Sequence, residues 1–163
     1  MISLFKKKPK LNNQASEELS WMLFEDVENP VRDVHFFEEK DMDYSLASLE
    51  ILDQYLESQR TDLPENEDLL KITMRSGSYV GEVIRRNAPI KYNWLEYSEA
   101  IKINEKIESM MGFGLGTASV LWSEPDSFIF PLAKVLKRLE NGSEDSVSSL
   151  ASVVISGGLS ERT

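Results

Sequence analysis

Ser76-Gly77-Ser78-Tyr79-Val80-Gly81-Glu82-Val83-Ile84-Arg85-Arg86-Asn87 is the stretch on which the fold turns. Leu69, Ile72, Ser76, Val80, Val83 and Ile84 recur at helical spacing, which predicts a helix from about Glu67 to Asn87, stopped by Ala88-Pro89. Inside it sit two glycines, each costing roughly 1 kcal/mol against alanine in a helix interior. Residues four apart share a face, so Gly77 and Gly81 strip that face to bare backbone. The expectation is that another element packs closely there, either at the crossing of two helices or against a sheet.

Upstream, Leu46, Leu49, Leu52 and Leu56 mark a preceding helix with Asp43 as its expected N-cap, ended at Asp62-Leu63-Pro64-Glu65. Two consecutive helices with a short connection predict an antiparallel hairpin. Before that, Leu19, Met22 and Leu23 predict a helix beginning near Ser16 and broken at Asn29-Pro30, while residues 28–42 have no assignable pattern. Downstream the period changes. Ile90, Tyr92 and Trp94 alternate as in a strand, and 117–122 and 128–130 read as two strands joined by a turn at Ser123-Glu124-Pro125-Asp126. Pro131 takes the first position of a helix closed by Asn141-Gly142, and Ser143 is the expected start of a last helix ended by Gly157-Gly158. Residues 97–116 are ambiguous between strand and helix. The fold expected is α+β, a helical hairpin and C-terminal helices on a small antiparallel sheet. Residues 1–15 are expected to be a flexible basic tail, 16–158 a single domain and 159–163 a second tail.

Composition excludes several chemistries. The 163 residues contain no cysteine, hence no disulfide, thiolate metal site or cysteine nucleophile, which fits the cytoplasm. His35 is the only histidine, so no zinc site with two imidazoles can form, and among bulky apolar neighbours it reads as structural. No Gly-x-Ser-x-Gly elbow occurs. Gly112-Phe113-Gly114-Leu115-Gly116-Thr117 lacks the lysine of a phosphate loop and reads as a flexible connection. Glu38-Glu39-Lys40-Asp41-Met42-Asp43 lacks the glycine and terminal glutamate of a calcium hand. No metal, cofactor or catalytic residue is therefore assigned. No stretch approaches the ~18 apolar residues of a membrane span.

Charge is unevenly distributed. Residues 17–68 carry seventeen Asp/Glu against Arg32, Lys40 and Arg60, a net of −14 in a chain whose total is −10. Such a field repels nucleic acids and attracts a basic protein partner, and otherwise serves as a solvated surface. Glu38, Glu39 and Asp41 are the candidate contact residues on it. A second candidate cluster is Tyr79, Glu82, Arg85 and Arg86, on a side of the helix opposite the glycines that Trp94 or Trp122 would roof. Glu82 pairs with both arginines at helical spacing, which is usually a solvated face, and under a roof becomes a buried polar cluster able to hold an anion. Three functions follow: a non-enzymatic binding domain using the acidic surface, a small-molecule-binding protein or hydrolase around Glu82, Arg85 and Arg86, and a DNA mimic.

The run 77–87, followed by Trp94, by Phe130-Pro131-Leu132-Ala133-Lys134-Val135 and by Asn141-Gly142-Ser143-Glu144-Asp145-Ser146, resembles a family of small bacterial proteins, a domain of unknown function. Some members are thought to act as single-domain binding or immunity proteins. The likeness spans roughly residues 43–156 and implies a compact domain of bacterial origin. It carries no catalytic residue.

Overall fold

A computed structural model describes residues 7–157. Residues 1–6 of the expected 1–15 tail, Gly158 and the expected tail at 159–163 lie outside the described residues. Seven α-helices and one three-stranded antiparallel sheet are described, an α+β architecture. The helices are α1 (Asn13–Glu25), α2 (Ser48–Gln59), α3 (Asn66–Asn87), α4 (Tyr97–Ile103), α5 (Lys106–Met110), α6 (Pro131–Asn141) and α7 (Val147–Ile155). The strands are β1 (Asn93–Glu96), β2 (Ser119–Ser123) and β3 (Ser127–Ile129), in that order across the sheet.

The central helix forms where the periodicity puts it. Glu67 and Asp68 occupy the first turn of α3 and Arg85 and Arg86 the last, which complements the helix dipole. Ala88 still donates to the Ile84 carbonyl at 2.8 Å, and Pro89 then prevents continuation. The helices that pack directly on α3 are α1, α6 and α7. Gly77 faces α6, where a Cβ would lie 2.6 Å from Leu132 Cδ1, and Gly81 faces the Trp94 indole of β1. Both glycines are thus buried under another element, one beneath a helix and one beneath the sheet.

Side-chain alternation along β1 and β2 divides the apolar residues between two faces. Trp94, paired with Leu121, and Ile129 on β3 join Leu49, Leu52, Ile72, Val80 and Leu132 in the main core. Leu95, paired with Val120, and Trp122 point the other way and pack with Ala100 of α4 and Ile107 of α5. The sheet is therefore covered on both faces.

Several local expectations differ from the structure. The first helix begins at Asn13, not Ser16, and the residues before it belong to the fold. Asn12 N–H donates to the Trp94 carbonyl at 2.8 Å, Leu11 bridges Leu95, and Lys10 N–H donates to Glu99. This short segment covers the free edge of β1, a device that blunts an open strand. Asn13 completes it by accepting from Trp94 N–H at 2.7 Å and donating to Asn93 at 3.0 Å. Asp43 does not cap a helix. Its carboxylate accepts from Ser45 N–H at 3.0 Å in a tight turn, and α2 starts at Ser48. Ser146, not Ser143, caps the last helix, because Gly142 at φ 81° opens a 3-10 turn that carries the chain to Asp145. Residues 97–110 form two short helices, and 34–36 and 39–41 form 3-10 turns. The glycine run closes on itself as a turn, with Thr117 Oγ1 donating to the Gly112 carbonyl at 2.8 Å.

Candidate functional site

The structure gathers Tyr79, Glu82, Arg85, Arg86 and Trp94 at the C-terminal half of α3. Glu82 is 1% exposed. Arg85 Nη1 donates to its Oε2 at 2.7 Å, Trp94 Nε1 to the same oxygen at 2.9 Å, and Arg86 Nη2 lies 3.6 Å from Oε1. Trp94 therefore covers Gly81 and Glu82 at once, on the glycine side of the helix and not opposite it. With no side chain at position 81, the indole drops onto the helix backbone and brings Nε1 to the carboxylate. Arg85 also donates to the Tyr92 carbonyl at 3.1 Å and reaches Glu17 of α1 at 3.2 Å. One guanidinium thus joins α3, α1 and the chain entering β1.

A second set of contacts extends this cluster. Tyr44 stacks on Tyr79 with ring centroids 4.7 Å apart, and the Arg86 guanidinium lies 3.6 Å above the Tyr44 ring. Tyr44 is held at φ 62°, a left-handed conformation unfavourable for an aromatic residue. What holds it is the hydrogen bond from its N–H to Tyr79 Oη at 3.0 Å and that from Asn87 to its carbonyl at 2.9 Å. Tyr79 donates in turn to Ser48 of α2 at 2.7 Å. Burial pushes its phenol up to about 12, so it remains a protonated donor at neutral pH. Each polar group here is bonded to another part of the fold, so the cluster acts as a lock between α2, α3, α1 and the sheet.

Glu38, Glu39 and Asp41 lie elsewhere, exposed on and beside the 3-10 turn at 39–41. Glu38 pairs with Lys40 at 3.3 Å on the surface, a contact of small energetic weight. Glu39 instead overlooks a cleft of about 500 Å³ between the C-terminal end of α1 and residues 30–39. Phe24, Val34 and Phe37 line it, with Glu25 and His35. Glu25 and Glu39 line the same cleft. Hydrogen bonding to Glu39, then burial, then the Glu39 charge raise the Glu25 carboxyl above its ordinary 4.5. Asp26, also at the cleft, is already engaged: it accepts from Asn29 and Glu28 N–H and from Arg75 at 3.1 Å, bonds that hold its carboxyl below the ordinary value.

Sequence reasoning misses two groups of residues. One is the cleft itself, because Glu25 and Glu39 are fourteen positions apart across a segment without periodicity. The other is Asp53, which accepts from Arg138 Nε at 3.1 Å, Ser146 Oγ at 2.7 Å, Val147 N–H at 2.9 Å and Ser148 N–H at 3.1 Å. Burial alone would raise its carboxyl, and the hydrogen bonds outweigh burial and lower it. Its position on the polar side of α2 gives no separate signal. No group of three or more ligand-type side chains suited to a metal occurs among the described residues, and no described helix is long and apolar enough to cross a membrane. No protein-family model, curated protein or solved structure matches the chain.

Proposed function

We propose that this chain is a non-enzymatic binding domain, cytoplasmic and immunity-like or regulatory in role, that receives a basic protein on its acidic N-terminal half. The observation that carries the reading is the exposure of Glu38, Glu39 and Asp41 on one 3-10 turn, within a segment whose net charge is −14. A concentrated field of one sign speeds encounter with a cationic surface and suppresses acidic partners. The arginines at 85 and 86 are committed to Glu82 and to neighbouring elements, which favours a supporting role for the α3 cluster over a ligand-binding one.

The test is a charge-reversed variant, Glu38→Lys with Glu39→Lys and Asp41→Lys. All three side chains are exposed, so the fold should tolerate the change. Immobilised parent protein should retain basic proteins of the native host at low salt and release them as salt rises, since exposed charges are screened over about 8 Å at physiological ionic strength. The variant should lose that retention. An identical retained set for parent and variant would reject the acidic surface as the binding face.

A further inference from the structure

The cleft at the end of α1 has more than charge. Phe24, Val34 and Phe37 make its floor. Around it stand three large apolar side chains in water: Val27 at 91% exposure, Trp21 at 49% and Phe36 at 39%. Phe36 touches Phe37, with ring centroids 6.0 Å apart, and Trp21 stands on α1 one turn before Glu25. A patch with an apolar centre, exposed aromatics and charge at its border has the composition of a protein-binding hot spot.

Electrostatics select the occupant. Among the described residues no ion pair reaches Glu25 or Glu39, whereas the neighbouring acids Asp26 and Glu38 are paired with Arg75 and Lys40. Two carboxylates lining one apolar cleft repel one another and complement a cation inserted between them. A planar guanidinium can bridge two carboxylates at once and stack on an indole, which an ammonium does less well.

We propose that this cleft is the docking point for an arginine-bearing apolar segment of the partner, the guanidinium bridging Glu25 and Glu39 and an adjacent apolar side chain resting on Phe24, Val34 and Phe37. The assignment rests on the acidic-surface reading above and localises it.

The probe is a pair of short peptides titrated into the ¹⁵N-labelled full chain: acetyl-Gly-Leu-Arg-Phe-Gly-amide, and the same peptide with serine in place of leucine and phenylalanine. With the first, the Trp21 indole N–H and the Val27, Val34 and Phe37 amides should shift saturably. Binding should weaken by at least about tenfold for the second peptide, and likewise for the first peptide in a Glu25→Gln, Glu39→Gln variant. Equal shifts with both peptides, centred on Glu38 and Asp41 and absent from the cleft, would overturn the cleft and leave the acidic surface standing. Undiminished cleft shifts in the double variant would also overturn the carboxylate bridge. Cleft signals that move in the free protein when residues 1–6 are deleted would assign the site to the chain's own start, and the proposal would fall. No shift with either peptide would overturn the cleft, while the wider reading is decided by the charge-reversed variant.

Discussion

At position 81 two effects oppose each other. Alanine gains helix propensity of about 1 kcal/mol over glycine. A Cβ there, however, would overlap the Cζ2 and Cη2 edge of the Trp94 ring. The indole cannot swing aside cheaply, because it is fully buried and its Nε1–H is bound to Glu82 at 2.9 Å. Overpacking of this kind costs about 1–3 kcal/mol, so Gly81→Ala should be destabilised and Gly81→Leu more so. At position 77 the obstacle is partly backbone: a Cβ would lie 2.9 Å from Leu132 Cα, and α6 itself would have to shift. Gly114 is the control, with nothing within 4 Å of the added carbon and an extended backbone that any residue adopts. Denaturant midpoints should fall for Gly81→Ala and Gly77→Ala and stay level or rise for Gly114→Ala. Parent-like stability in Gly81→Ala would contradict the packing of Trp94 on α3.

Among the helices, α7 depends most visibly on a single residue outside it. The Asp53 carboxylate of α2 accepts from two of the first N–H groups of α7 and from Ser146, the residue that caps it, and it also neutralises buried Arg138 of α6. Asp53→Ala leaves the Val147 and Ser148 N–H groups without their acceptor, while Arg138 keeps Glu57 at 2.8 Å, so the loss should be about 1–3 kcal/mol. Asp53→Asn keeps the shape and isolates the charge. Because the folded carboxyl sits below the ordinary 3.8, its contribution is complete above that pH and is lost as pH falls through the folded value. The deficit of Asp53→Asn against the parent, measured by thermal unfolding, should therefore be full at pH 7 and narrow on acidification below about pH 3.8. A deficit independent of pH would assign the loss to packing alone. Elements of this kind also mark the boundary of what the sequence discloses. Glycines 77 and 81 and Pro131 act through local geometry, and the structure places them as those rules require; of the alternating Ile90, Tyr92 and Trp94, only Trp94 lies in β1, which begins at Asn93. Asp43 and Ser143 offer the same cap chemistry as Ser146, and local sequence cannot rank them. What favours Ser146 is the turn that Gly142 opens together with the hydrogen bond to Asp53, ninety-three positions away. The start of α1 at Asn13 is likewise decided by β1, through hydrogen bonds that span about eighty residues. The candidate residues divide in the same way. Glu82 with its arginines is legible from helical spacing, whereas the Glu25–Glu39 cleft exists only once 3-10 turns without periodicity fold back on α1.

Over the whole molecule the acidic half works against its own folding, since like charges brought together repel while the unfolded chain spreads them out. Most carboxylates that the structure shifts are lowered by donors, as at Asp26, Glu57, Glu99 and Asp145, and these favour the folded state above the ordinary carboxylate range. Glu25 runs the other way. A folded-state value above 4.5 means that the native protein holds this proton more tightly than the unfolded chain does, so the site costs stability at pH 7 and costs nothing once both states are protonated. Neutralising its neighbour should recover that cost. Glu39→Gln is therefore expected to raise the thermal midpoint at pH 7, with the gain fading as pH falls below 4.5. Added salt should shrink the gain at pH 7 by screening the same repulsion. A neutral or destabilising Glu39→Gln at low salt would mean that the two carboxylates do not repel, and the argument for a cation between them would go with it. A confirmed gain would instead describe a surface kept at a cost to its own stability, as expected where charge serves a partner and not the fold.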